Sequence, residues 1–153
     1  MFATEWTLGA NGAKDALAVR RAVFAEELGL PVQQVFDDMD AVAAHLTVRL
    51  DGVPVASARL SPDTDGVRIS YICVLREYRK QGFGDLCARV ALDKAQRMGV
   101  TRVVADIPAA HMPYWAAFGF TAQGGATQGI VSMDVDSEAI RWHSPCKDDG
   151  HHS

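Results

Sequence analysis

The chain is predicted to be an α/β domain of the mixed, layered kind, and three observations lead there. Runs with strand period and runs with helix period alternate along the sequence. An Asp51-Gly52 pair separates two alternating runs, which is a strong two-residue hairpin signal. A continuously apolar run ending at Val74 passes through a Gly-rich turn into a helix pattern near Leu86, as a buried central strand would. At 153 residues the chain is long enough for one domain with a real core.

Residues 4–8 suit a first short strand, with a turn at 9–12. Over 15–28, Ala16, Val19, Val23 and Phe24 make an apolar stripe between Arg20, Arg21, Glu26 and Glu27, the pattern of an amphipathic helix. Gly29 and Pro31 stop it. Residues 32–40 read as an acidic, irregular segment holding Asp37, Asp38 and Asp40. Leu46, Val48 and Leu50 alternate with His45, Thr47 and Arg49 in a strand over 44–50, and 53–60 returns antiparallel with Pro54 near its start. A turn-rich loop at 61–66 leads to a strand over 67–74.

The helix over 84–98 turns Leu86, Val90, Ala91, Ala95 and Met98 inward and stops at Gly99. A Val-rich strand follows at 102–107, then an aromatic helix at 113–118 ended by Gly119. Two last strands, 120–123 and 130–135, flank a Gly-rich loop. The single domain is expected to fill residues 1–140, with a polar, frayed tail over 141–153.

Several classes of function are disfavoured. A net charge of -4 argues against nucleic acid or an anionic membrane as partner. No apolar run approaches the roughly 20 residues of a membrane span, and no signal peptide is visible. Cys73, Cys87 and Cys146 are an odd count without pairing-type spacing, so a reducing cytoplasm is the expected setting. His143, Cys146, His151 and His152 lack metal-ligand spacing, and no metal is expected.

The segment from Val74 to Asp85 carries the chemistry. Gly82 and Gly84 are spaced G-x-G beside Arg76, Arg79 and Lys80, between a strand end and a helix start. Unpaired N–H groups and the positive end of the macrodipole make such a helix start an anion site. Glycine lets a phosphate approach the backbone where a Cβ would block it.

Arg79-x-x-Gly82-x-Gly84 in this strand–turn–helix context, with Tyr114-Trp115-x-x-x-Gly119-Phe120 downstream, resembles the GCN5-related N-acetyltransferases (GNAT). Arg20-x-x-Val23-Phe24-x-x-Glu27, Pro31, Asp37-x-x-Asp40, His45-Leu46 and Arg59-Leu60 resemble the small bacterial ElaA/YjcF-like branch. Together these span about residues 17–120. The resemblance implies the GNAT acyl-CoA N-acyltransferase fold, with a central, mostly antiparallel sheet splayed at its fourth strand and helices on both faces. It implies direct transfer of the acetyl group of acetyl-CoA to a primary amine of a small molecule or peptide.

The resemblance also assigns residues. Ile72, Cys73 and Val74 would offer backbone groups to the pantetheine arm, and the Val74 N–H would polarise the thioester carbonyl. Arg79, Lys80, Gln81, Gly82, Phe83, Gly84 and Asp85 would wrap the pyrophosphate, with the Asp85 side chain facing outward. Trp115 stands where the family often has its tyrosine acid, and is expected to contact the cofactor. Tyr114, one residue earlier, is the candidate acid in its place. His111 is a candidate base or cofactor contact, the alternative being a surface cap. Glu26, Glu27, Asp37 and Asp38 are candidates to line the acceptor cleft, and Val35 replaces a Glu frequent in the branch. His45 is expected in a structural hydrogen bond, Cys73 as a buried small hydrophobe. A homodimer through the last strands is a further implication.

Two other functions fit parts of the sequence. Arg20-x-x-Val23-Phe24, Asp37-x-x-Asp40 and Arg59-Leu60-Ser61-Pro62 also resemble acyl-homoserine-lactone synthases. A non-catalytic acyl-CoA-binding sensor or partner protein would explain Trp115 at the usual acid position.

Overall fold

A computed structural model describes residues 1–143. Cys146, His151 and His152 lie outside the described residues, as does the expected tail from residue 144 onward. Within the described residues, strands β1 (Phe2–Leu8), β2 (Ala44–Leu50), β3 (Val53–Asp63), β4 (Gly66–Val74), β5 (Arg102–Pro108), β6 (Thr121–Ala122) and β7 (Ile130–Asp136) form one sheet in the order β1-β2-β3-β4-β5-β7-β6. Neighbours are antiparallel except β4 and β5, which run parallel. This is the mixed, mostly antiparallel sheet that the resemblance implies.

Helices cover both faces. Helix α1 (Lys14–Arg20) runs on into a π-helical turn, Arg21–Glu27, and its Val19 and Val23 pack on Cys73. Helix α3 (Phe83–Arg97) packs on the other face, where its Phe83 and Cys87 meet Val74, Leu46 and Val48. Helix α4 (Met112–Ala117) sends Tyr114 and Trp115 into the larger cluster with Ile69, Leu92 and Phe118.

A β-bulge decides which face each β4 residue takes. Pairing with β3 shifts from Arg59↔Ser70 to Ser57↔Cys73, so β4 carries one extra residue there, and Tyr71 sits at φ 55. The extra residue reverses the in–out alternation. Ile69 before it and Ile72 and Val74 after it therefore all face the α3 side, while Cys73 turns to α1.

Three expectations are revised. Residues 32–40 are ordered as α2 (Val32–Val35) and a 3-10 turn, Asp38–Ala41, whose entry is closed by a capping box between Asp37 and Asp40. Strand β3 continues through the segment read as a loop and ends at Asp63, so the turn is only Thr64-Asp65. The first tail residues are held: the Arg141 N–H donates to Phe118 O at 2.8 Å, and His143 stacks 4.1 Å from the Phe118 ring centroid.

Candidate active site

Strands β4 and β5 are zipped at one end only. Their pairing runs from Gly66↔Arg102 to Ile69↔Ala105, whereas β4 stays paired with β3 as far as Ala56↔Val74. Gly66 pins the closed end: a Cβ there would lie 1.7 Å from Arg102 O. Beyond Ile69 the strands part into a V. The Leu75 N–H donates to Val55 O at 2.9 Å, so by antiparallel alternation the N–H of Val74 points away from β3, into the V.

A cavity of about 910 Å³ opens there, near the upper end for small-molecule sites. Ile72, Cys73, Val74, Arg79, Gly84, His111, Tyr114 and Trp115, all candidates from the sequence, line it. Glu27 lines it too, whereas Glu26 borders a shallower depression beside Arg76. Lys80, Gln81, Gly82, Phe83 and Asp85 belong to the turn and helix start alongside.

That turn is shaped for an anion. Lys80 at φ 65 and Gly82 at φ 87 both adopt the left-handed conformation, which turns successive N–H groups toward one side. The first bond of α3 runs from Leu86 N–H to Gly82 O at 3.0 Å, so the N–H groups of Phe83, Gly84 and Asp85 precede the helical ladder. Gly82, at the N-cap, brings no capping side chain.

Two side chains depart from expectation. Arg79 does not point its charge outward to a ligand: its Nη atoms donate to both oxygens of Glu27 at 2.7 and 2.6 Å, and its Nε to Val74 O at 3.0 Å. A bidentate pair of this kind fixes geometry as well as charge. The hydrogen bonds from Arg79 hold the Glu27 carboxyl below the usual carboxylate range. Asp85 faces inward, not outward. It is 7% exposed, accepts from Arg89 Nε at 3.0 Å and accepts a hydrogen bond from the Tyr114 hydroxyl. Arg89 neutralises its charge, which removes the repulsion toward a phosphate that favoured an outward pose. Trp115 is 2% exposed and stacks edge-on against Phe120 at 5.1 Å.

A buried ionic network props the opposite wall. Arg20, 1% exposed, donates to Asp40 Oδ1 at 2.8 Å and to Val35 O at 3.2 Å. Arg59 donates to Asp37 at 2.6 Å and to Asp40 at 3.2 Å. Both guanidiniums lie over the Tyr71 ring, at 4.5 and 4.8 Å from its centroid. Asp37 is thus engaged with Arg59. Burial pushes the Asp40 carboxyl up, but the Arg20 hydrogen bond and charge prevail and hold it below its ordinary range. His45 has the structural role expected. Its Nδ1 faces the donor Arg20 Nη2 at 3.4 Å, so Nε2–H donates to Asp40 O at 2.9 Å, and burial lowers its pKa. Burial pushes the Cys73 thiol up to about 12, an inert group at neutral pH.

Sequence reasoning missed Asp106. On β5, at the fork of the V, it lines the cavity and accepts from Arg68 Nη1 and Ser132 Oγ at 2.6 Å each. Its only sequence signal is a charged residue inside a Val-rich strand. Among the described residues no group of three or more His, Cys, Asp or Glu is arranged to hold a metal, and no helix is long and apolar enough to cross a membrane.

Comparison with known proteins gives the family. Residues 15–120 match the acetyltransferase (GNAT) family, and the chain belongs to it. It is 34% identical over 86 residues to a Bacillus subtilis (strain 168) protein named as an acetyltransferase, covering 54% of this chain and 56% of that one. It is 24% identical over 107 residues to YjcF of the same organism, named as an N-acetyltransferase, covering 70% and 76%. Among solved structures, Escherichia coli ElaA superposes with a TM-score of 0.76 at 20% identity, over 88% of this chain and 99% of that one.

Proposed function

We propose that the protein transfers the acetyl group of acetyl-CoA directly to a primary amine of a small molecule or peptide, in a ternary complex. One observation carries this reading: the V between β4 and β5 opens beside the N-terminus of α3, which has no side-chain cap. A pantetheine arm fits the first and a pyrophosphate the second.

In this reading the turn from Lys80 to Asp85 binds pyrophosphate through backbone N–H groups, each worth roughly 1.5–3 kcal/mol to a charged acceptor. Arg79 acts indirectly, by tying the end of β4 to Glu27 so that the turn keeps its shape. Ile72 and Cys73 flank the arm, and the Val74 N–H donates to the thioester oxygen as it gains charge. An ammonium of pKa about 10.4 must lose a proton before it attacks, and the thiolate must gain one. Tyr114 is the proton donor, its hydroxyl oriented by Asp85 until the thiolate forms, and His111 stands at the cavity wall as the base or as a contact to CoA. Trp115 packs behind the arm. A cytoplasmic setting and a homodimer through the last strands complete the proposal, with no metal involved.

One observation favours a second reading, a non-catalytic acyl-CoA-binding protein. The Tyr114 hydroxyl proton is already directed at Asp85, and Trp115 offers only an indole N–H. Thiol release from acetyl-CoA with a panel of primary amines separates the two. Amine-dependent release is expected; tight CoA binding with no release on any amine would establish the binding protein instead.

A further inference from the structure

We infer that the acceptor is a primary amine on an apolar body, whose ammonium docks on Asp106. This rests on the transferase reading above and names the substrate class of the same site.

The electrostatic argument starts with Arg68. Its Nε donates to Asp63 Oδ2 at 2.7 Å and its Nη1 to Asp106 Oδ1 at 2.6 Å. One guanidinium thus serves two carboxylates, and the group keeps a net negative charge at the fork of the V. The neighbouring Arg102–Asp134 pair, at 2.7 Å, is neutral and does not offset it. The other charged pairs on the cavity wall are balanced: Arg79 with Glu27, and Arg59 and Arg20 with Asp37 and Asp40. A cation entering the cavity is therefore drawn to Asp106.

The hydrogen-bond geometry says how it is held. Both bonds to Asp106, from Arg68 and from Ser132 Oγ, land on Oδ1. Oδ2 is left, among the described residues, to the cavity that Asp106 lines, and the side chain retains 23% of its exposure. A carboxylate with one oxygen pinned from two strands and the other presented is a preorganised ammonium acceptor. The presented oxygen takes one proton from the ammonium first; the neutral amine then forms the N–C bond, the thioester C–S bond breaks, the second amine proton leaves to solvent and the departing thiolate takes the Tyr114 proton.

The body of the acceptor is read from the rest of the wall. Leu28, Leu30 and Ile130 are 59%, 37% and 39% exposed, yet all three line this cavity, with Phe24 beside them. Large apolar side chains left in solvent around a cavity mark a surface meant to be covered. No further cation-seeking carboxylate lies among these four, which favours a monoamine over a polyamine.

The test uses the CoA-loaded protein and three probes, n-hexylamine, methylamine and hexanoate, with binding followed by calorimetry and transfer followed by thiol release. Hexylamine should bind, methylamine much more weakly and hexanoate not at all. Asp106→Asn, which keeps an acceptor for Arg68 and Ser132, should weaken hexylamine binding by about 10–100-fold, with CoA affinity unchanged. Leu28→Ser, on the exposed rim, should weaken hexylamine but not methylamine. Hexylamine binding unchanged in Asp106→Asn, or hexanoate bound as well as hexylamine, overturns the inference even if some amine is acetylated. Asp106-dependent hexylamine binding without thiol release upholds the amine site and defeats the transferase reading alone.

Discussion

At the scale of single residues, the glycine loop and the buried ion network make opposite demands on substitution. Gly82 holds φ 87, where an L side chain is strained. Gly82→Val is expected to abolish measurable CoA affinity while the far-UV circular dichroism stays native; unchanged affinity would end the phosphate-turn reading. Asp40→Asn removes the charge that faces Arg20 and Arg59, both nearly inaccessible. Stripping one partner from a buried pair costs about 3–5 kcal/mol, and urea denaturation should show it. Sequence spacing alone exposed the glycines because they act through the backbone at their own positions. It could not expose Glu27–Arg79 or Asp85–Tyr114, whose partners are 52 and 29 residues apart and meet only once separate segments pack together. Asp106 escaped for the same reason, since its partners come from the strands on either side of it.

Among the elements, β4 holds the information that shapes the site. Its boundaries were legible in the apolar run, but the bulge at Tyr71 was not, because an uninterrupted run hides a change of phase. The spacing of Ile69, Ile72 and Val74, three then two, is its trace. Helix α1 shows a parallel case. Its stripe was legible, whereas the π-helical turn was not: the Leu28 N–H bonds Val23 O at 3.0 Å, and the widened turn carries Phe24 and Glu27 to the cavity. The closed end of the V belongs to this scale too. Gly66→Ala must push β4 off Arg102, and a loss of about 1–3 kcal/mol is expected from such overpacking. The change should also raise the Kd for CoA, because the splay angle is set there; a loss of stability with CoA affinity intact would show that the angle is fixed elsewhere.

For the whole molecule, stability should follow pH in two stages. Burial depresses the folded-state pKa of His45 below its ordinary value near 6.5, so the unfolded chain takes up a proton that the folded one refuses. Stability is then full above about pH 6.5 and declines as pH falls below it. Asp40 and Glu27, both held below the carboxylate range, add a second decline that begins below about pH 4. Urea midpoints measured from about pH 8 to pH 3 should show both, and His45→Gln should flatten the first. The order of the main strands and helices was legible, since period, hairpin signal and helix stops agreed, whereas α2 and the far end of β3 were not. The division of one polar network between Arg20, Asp40, His45 and Arg59 was not, because it draws on four separate segments.

The fork between β4 and β5 has a dynamic consequence. Past Ile69 each strand turns one row of peptide groups toward a gap and not toward a neighbour, so the sheet is short of a strand there. An amide-bearing arm lying in the gap would serve as that strand, and its hydrogen bonds would belong to the protein's own secondary structure. Amide hydrogen exchange should accordingly be fast at the gap-facing amides after Ile69 and Ala105 and slow at those before. Saturating CoA should bring the two halves of each strand to similar protection.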